Sequence, residues 1–307
     1  MKQFTHTILM IEPVAFGFND QTAVNNYFQQ KEVVPGFDIQ QAALREFNGM
    51  VETLRLKGID VLVAKDTLVP HTPDSIFPNN WISFHEDGRI ALYPMYAENR
   101  RAERSNDIID MVSAHGFKVS RVVDYTPYEN QRVFLEGTGS LILDRVNRIA
   151  YAALSGRTDK NLFLQFCKDF NYMAVPFVAN QTVDENRLPI YHTNVVMCIA
   201  DTFAVVCLNT IDDPEERNMV VSAITRSGKE IVEISEAQMH CFAGNMLQVE
   251  NKAGVPFLVM SQSAYTSLHA SQIDRLASFN EIVPIAIPTI EKYGGGSVRC
   301  MMAEVFL

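Results

Sequence analysis

Three consecutive glycines, Gly294-Gly295-Gly296, run into Ser297-Val298-Arg299 and then into Cys300. Glycine lets a backbone approach a ligand closely and adopt positive φ, so a cysteine behind such a run can face a small molecule. A cysteine attacks carbon only as its thiolate, which needs a cationic or base-bearing neighbourhood. Arg299 adjoins it in sequence. His192, at the head of the apolar run Tyr191-His-Thr-Asn-Val-Val-Met-Cys-Ile, is the candidate acid–base partner. Glu136 sits among apolar residues in Phe134-Leu-Glu-Gly-Thr-Gly, where a buried carboxylate requires a hydrogen-bonding or charged partner. Taken singly, each has a structural reading: a buried free cysteine, a satisfied histidine, a strand-end glutamate. Taken together, they are the parts of a covalent cysteine mechanism.

What would bring residues so far apart together is a repeat. Four segments share one plan, an apolar head, a polar or glycine-rich corner, a short strand, a turn and a second strand. They begin Phe77-Pro-Asn-Asn, Phe134-Leu-Glu-Gly, Tyr191-His-Thr-Asn and Phe242-Ala-Gly-Asn, and a fifth begins Ser297-Val-Arg-Cys. Aligned on Asn80, Gly139, Asn194, Asn245 and Arg299, the corners are 59, 55, 51 and 54 residues apart, a near-constant period that marks repeated supersecondary units. Glu136, His192, Cys300, Asn80 and Asn194 all fall at these corners. Hairpin turns are expected at Asp87-Gly88, Arg145–Arg148 and Ala253-Gly254. Helical periodicity covers Phe37–Leu56, Asn106–Ala114, Lys160–Phe170, Pro214–Arg226 behind Asp213, and Ser267–Phe279 behind Thr266. Strands follow each helix: Asp60–Lys65, Lys118–Asp124, Met173–Ala179, Glu230–Ser235 and Glu281–Pro288. The unit is hairpin, helix, strand, five times over. The N-terminal strand Thr7–Phe16 supplies what the fifth unit lacks, so the ends of the chain should pair and close a ring. No Pro/Ser/Gly linker divides it, and one domain over residues 1–307 is expected.

The bulk numbers remove several function classes. A net charge of −10 with no basic run beyond Arg100-Arg101 excludes a phosphate-backbone footprint and disfavours anionic membranes. No stretch reaches the ~20 apolar residues of a membrane span, and the first residues lack a signal-peptide core. Five cysteines without Cys-x-x-Cys fit a reducing, cytoplasmic setting. The spacings of His192, Cys198, Cys207, His240 and Cys241 match no structural zinc pattern, and no phosphate loop or dinucleotide fingerprint is present. No metal and no cofactor are therefore expected. Oligomeric state is not readable, and a homo-oligomer is left open.

At these residues the chain resembles the guanidino-group-modifying enzymes: arginine deiminases, dimethylarginine dimethylaminohydrolases and glycine amidinotransferases. The likeness covers essentially the whole chain and is carried by Glu136-Gly-Thr-Gly, Ser155-Gly-Arg-Thr, His192-Thr-Asn and Gly294-Gly-Gly-Ser-Val-Arg-Cys300-Met. It implies an α/β five-bladed propeller, the pentein fold. It also implies that Cys300 attacks the guanidino carbon, that His192 protonates the leaving amine and then activates water, and that Glu136 orients substrate nitrogens and imidazole. Arg157 matches an arginine that binds the substrate's α-carboxylate, a task suited to a bidentate fork. Phe77, Asn80, Gly139 and Asn194 complete the implied substrate-binding set.

Members usually carry aspartates where this chain has Asn80, Gly139 and Asn194, and two of those acids pair with a guanidinium. An amide cannot neutralise a cation, but its C=O and NH₂ match a neutral ureido group. Asp74 is a candidate replacement acid that nothing in the sequence places. The resemblance thus points to the divergent subgroup linked to citrulline utilisation. The implied partner is a small guanidino or ureido molecule, hydrolysed through a cysteine adduct. The alternatives are an amidinotransferase and a binding propeller without catalysis.

Overall fold

The computed structural model describes residues 2–32 and 38–306. Strand Ile82–Phe84 pairs antiparallel with Arg89–Leu92, which pairs in parallel with Arg121–Asp124. The same order recurs in Ile142–Asp144, Ile149–Ala153 and Met173–Phe177. It recurs again in Met197–Ile199, Phe203–Val206 and Glu230–Glu233, and in Leu247–Glu250, Pro256–Ser261 and Glu281–Ile285. The last copy joins both ends of the chain: Ala303–Glu304 lies antiparallel to Thr7–Glu12, which runs parallel to Asp60–Lys65. The architecture is α/β, with five separate three-stranded sheets and no closed sheet among the described residues.

Each parallel step is bridged by helix, as the βαβ connection demands. Helix Ile39–Leu56 begins where Asp38 accepts a hydrogen bond from Gln41 N and ends before Gly58 at φ +80°. Its face of Ala43, Phe47, Met50 and Leu54 is buried against Ile8, Val61 and Val283. Lys160–Phe170 starts at the cap Asp159 and stops at left-handed Asn171. Pro214–Arg226 has proline in its first turn and Asp213 accepting from Glu215 N and Glu216 N. Caps of this kind are worth about 1 kcal/mol each.

Several boundaries differ from the sequence reading. The helix expected from Phe37 begins at Ile39, with Phe37 outside the described residues. Instead of one helix over Ser267–Phe279 there are two, Gln262–Ser267 capped by Ser261 and Ala270–Ala277. The strand expected to Pro288 ends at Ile285, because Pro288 opens a helix, Pro288–Gly294, that leads into the glycine run. A hairpin of Asn180–Val183 and Asn186–Pro189 was not expected. The corners precede the first strands, as expected, but they are helical. Pro78–Asn80, Gly137–Ser140 and Thr193–Val196 are single helical turns ahead of the first strands. Gly137 makes one of them possible: at φ +45° its Cα packs so tightly on Asn79 O that no Cβ fits.

Candidate active site

One small cavity is lined by Cys300, His192, Asn80, Arg157 and Phe77, joined by Asp74, Arg100, Tyr191, Thr22, Asn26 and Gly294 to Gly296. Five of the eight residues singled out from sequence therefore share one surface. Glu136, Asn194 and Gly139 do not line it; they stand immediately behind the residues that do.

Cys300 is 3% exposed and packs beside Val298, Met301 and Met302, so the buried-cysteine description is accurate as far as it goes. Its sulfur, however, has polar company. Asn194 Nδ2 donates to Sγ at 3.3 Å and Asn245 Nδ2 at 3.4 Å. Arg299 N donates to Asn245 Oδ1 at 3.0 Å, which fixes which end of that amide faces the thiol. Among the described residues the buried Asn194 Oδ1 has no partner. The loop that carries Cys300 is held from both sides: Tyr191 Oη donates to Gly295 O at 2.5 Å and Ser297 Oγ to Glu291 Oε1 at 2.7 Å. The glycines are there because of Phe77. A Cβ on Gly294 or Gly296 would come within 2.8 or 2.9 Å of its ring.

His192 Nε2 lies 2.7 Å from Glu136 Oε2. Glu136 also accepts from Tyr96 N at 2.9 Å and faces Arg157 Nη1 at 3.5 Å. Burial acts to raise the Glu136 pKa, but Arg157 and the His192 bond outweigh it and hold the group down at about 2. Burial lowers His192 to about 4 against the pull of Glu136. At neutral pH the pair is therefore a carboxylate and a neutral imidazole whose Nε2–H donates to it. That leaves the Nδ1 lone pair for proton traffic. Glu136 thus acts on the imidazole and does not line the cavity.

Gly139 is where backbone must yield to side chains. A Cβ on it would lie 2.5 Å from Asn80 Nδ2 and 2.8 Å from His192 Nδ1 and Cε1. Gly139→Ala should push the imidazole out of line, lowering kcat at least tenfold with a modest loss of Tm. Activity and melting measured on the same sample test this, and unchanged kcat would show that the ring tolerates the shift.

Asn80 is placed differently from expectation. Its Oδ1 accepts from Arg100 Nη1 at 2.7 Å and its Nδ2 donates to Asn79 Oδ1 at 3.0 Å, so its carbonyl is engaged within the protein. Arg100 is the main site residue that sequence reading missed. It is 2% exposed and bonded to Glu103 through Nε at 2.8 Å and Nη2 at 2.9 Å. Its only signal was a glutamate three residues on. Asn245 was also missed as a functional group, although it occupies the same corner as Asn194.

Arg157 is buried, not a surface turn. Asn25 Oδ1 accepts from its Nε at 2.9 Å and its Nη2 at 2.5 Å, and Thr22 O accepts from Nη2 at 2.8 Å. These partners belong to a segment, 19–30, that straps the cavity. Asn26 Nδ2 donates to Gly295 O at 3.1 Å and Gln29 Nε2 to Tyr293 O at 3.1 Å. Asp74 is brought to the same place. Its Oδ2 accepts from Asn19 Nδ2 at 2.7 Å and Thr22 Oγ1 at 3.1 Å, while Oδ1 has no partner among the described residues. Burial raises its pKa, opposed by Arg100 and those two bonds. An unpartnered, buried carboxylate oxygen in a cavity wall is an acceptor for a ligand N–H. Among the described residues no group of three or more His, Cys, Asp or Glu is disposed to hold a metal.

With this geometry in view, comparison with known proteins places the chain among the guanidino-modifying enzymes, hydrolases acting on guanidino C–N bonds. It belongs to the family described as N,N dimethylarginine dimethylhydrolase, eukaryotic, whose model matches residues 12–307. Against the curated proteins the sequence finds no match. Among solved structures it is similar to ArgZ, an arginine dihydrolase from the ornithine-ammonia cycle in Cyanobacteria, with a TM-score of 0.75 at 17% identity. That likeness covers 97% of this chain but 40% of ArgZ. The isolated N-terminal domain of ArgZ, in a form covalently bound to a reaction intermediate, matches over 97% of each chain at a TM-score of 0.75 and 17% identity. A Pseudomonas aeruginosa DDAH mutant complexed with citrulline matches over 98% of this chain and 99% of its own, at a TM-score of 0.65 and 14% identity.

Proposed function

We propose that this chain is a cysteine hydrolase of small guanidino or ureido compounds, with a citrulline-like ureido group as the preferred substrate. The observation that carries this reading is the pair of amide N–H donors on Cys300 Sγ. Where an aspartate would need a substrate cation between itself and the thiolate, Asn194 and Asn245 stabilise negative sulfur unaided, so a neutral substrate suffices.

In the proposed reaction Cys300 gives its proton to His192 Nδ1 and its sulfur bonds to the central carbon. Collapse of the tetrahedral adduct breaks a C–N bond, and the departing amine takes the proton from His192. Water then gives a proton to His192 and attacks the carbon, and the C–S bond breaks to regenerate the thiol. Glu136 holds the imidazole in the required tautomer throughout. Asn194 acts on Sγ from behind the cavity wall, Asp74 Oδ1 accepts from a substrate ammonium, and Arg157 takes a carboxylate by exchanging it for Asn25.

The five sheets are read as blades of one closed propeller forming a single catalytic domain over residues 1–307. Links between different units support the ring. Glu250 N donates to Thr5 O at 3.1 Å, and the Gln3 side-chain amide reaches Leu143 O at 2.9 Å and Ile199 O at 3.3 Å. A cytoplasmic location fits five free cysteines. Among the described residues no helix is long and apolar enough to cross a membrane.

The test is an amine-release screen over citrulline, arginine, agmatine, methylarginines and succinylarginine. Citrulline should give the highest kcat/KM. Release that rises with an added amine acceptor would favour the amidinotransferase. No release from any member would favour a binding propeller.

A further inference from the structure

At the opposite ends of the first two hairpins lies a second cavity, of about 260 Å³, unrelated to the cysteine site. It opens between the turn after Phe84 and the turn after Asp144, whereas Asn80 and Gly139 precede those same strands. A three-residue strand separates the two places by ~10 Å.

Three guanidinium groups line this cavity, and each lies over an aromatic ring. Arg89 is 4.2 Å from the Phe170 centroid, Arg145 is 3.9 Å from Phe306, and Arg148 is 5.3 Å from Tyr172. Rings hold guanidinium planes flat and leave the N–H edges for other partners. Arg89 has its partners: Asp87 at 2.6 Å and the carbonyl of Asp169 at 2.7 Å. Among the described residues Arg148 donates only to Phe170 O, at 3.4 Å.

Arg145 is the anomaly. It is 4% exposed, yet among the described residues its guanidinium donates no hydrogen bond. Among the described residues its nearest carboxylate oxygen, on Glu304, is 3.9 Å away, and Glu304 is bonded at 2.8 Å to Arg299. No Arg145 nitrogen is a sealed, unpaired atom among the described residues; its donors belong to the cavity wall, where an anion can reach them. Glu86 and Asp87 also line the cavity, but Asp87 is taken by Arg89. The positive field is felt by His85 on the same wall, whose pKa is driven well down by burial and then by Arg145, Arg89 and Arg148.

We propose that this cavity is a binding site for a small oxyanion, a carboxylate or a phosphate group, held between Arg145 and Arg148. Guanidinium edges match both anions in bidentate geometry. The chain's net charge of −10 excludes nucleic acid as the source of the phosphate.

The experiment is thermal melting of the full chain against inorganic phosphate and, separately, acetate, at constant ionic strength so that screening is held fixed. A saturable rise in Tm is expected with at least one of them, since a ligand that binds only the folded state stabilises it. A response to phosphate alone identifies a phosphoryl ligand and a response to acetate a carboxylate; either supports the site. Arg148→Gln, at a half-buried position, should weaken binding roughly tenfold, the worth of one charge-assisted bond. Arg145→Gln should abolish the response, and a cooperative ligand-free melt of the variant shows that the loss is not a failure to fold. No saturable rise with either anion, or a rise of wild-type size in both variants, overturns the proposal.

Discussion

Cys300→Ala should lose essentially all turnover, by a factor on the order of 10⁴ to 10⁶, the scale on which removing a covalent nucleophile acts. The residual rate would come from binding alone. Its effect on stability is less innocent than a small-for-small exchange suggests. Asn194 Nδ2 donates to Sγ and to nothing else among the described residues, so alanine leaves a buried N–H unpaired. Such a group costs about 1–3 kcal/mol. Asn245 is better protected, because the same Nδ2 also donates to Asn194 O at 2.9 Å. Cys300→Ser keeps an acceptor at the site and should recover much of that stability while remaining inactive. Amine release and urea melts on the two variants separate the roles. Turnover above about one hundredth of wild type in either would mean that another group attacks.

The repeat was legible because it is written in local signals. The cap at Asp213, a turn at Asp87-Gly88 and β-branched strands such as Asp60–Lys65 each declare themselves within a few residues. Thr266 misled because Ser261 already caps a short helix, and the next begins where Gln272 Oε1 accepts from His269 N. The corners were located ahead of the first strands but not as helical turns, since those turns depend on tertiary contacts such as Gly137 against Asn79. For the site, a shared position in the repeat brought out Cys300, His192, Glu136, Asn80 and Asn194. It could not show that Arg100 would take the carbonyl of Asn80, or that the strap 19–30 would occupy Arg157 from 132 residues away. Those are long-range pairings with no periodic trace.

The two asparagines, alike in sequence, should respond unequally to Asn→Asp exchange. Asn80→Asp places a carboxylate where Arg100 Nη1 already sits at 2.7 Å, so the new charge is absorbed by the protein and reaches the substrate weakly. Asn194→Asp does the reverse. It replaces the N–H that reaches Cys300 Sγ with an anion, so thiolate and carboxylate repel unless a cation lies between them. A guanidinium substrate brings that cation, and a ureido substrate does not. Losing one hydrogen bond to a charged sulfur is worth roughly 1.5–3 kcal/mol, which is about tenfold to a hundredfold in rate. Wild type should therefore prefer citrulline over arginine. Asn194→Asp should cut kcat/KM for citrulline by at least tenfold while sparing or raising that for arginine, and Asn80→Asp should move the ratio little. Kinetics on both substrates in wild type, both single variants and the double variant provide the measurement. If wild type processes arginine efficiently and ignores citrulline, the ureido reading fails. The cation would then have to be held by Asp74, among the described residues the one acid in the cavity wall with an oxygen left unpaired.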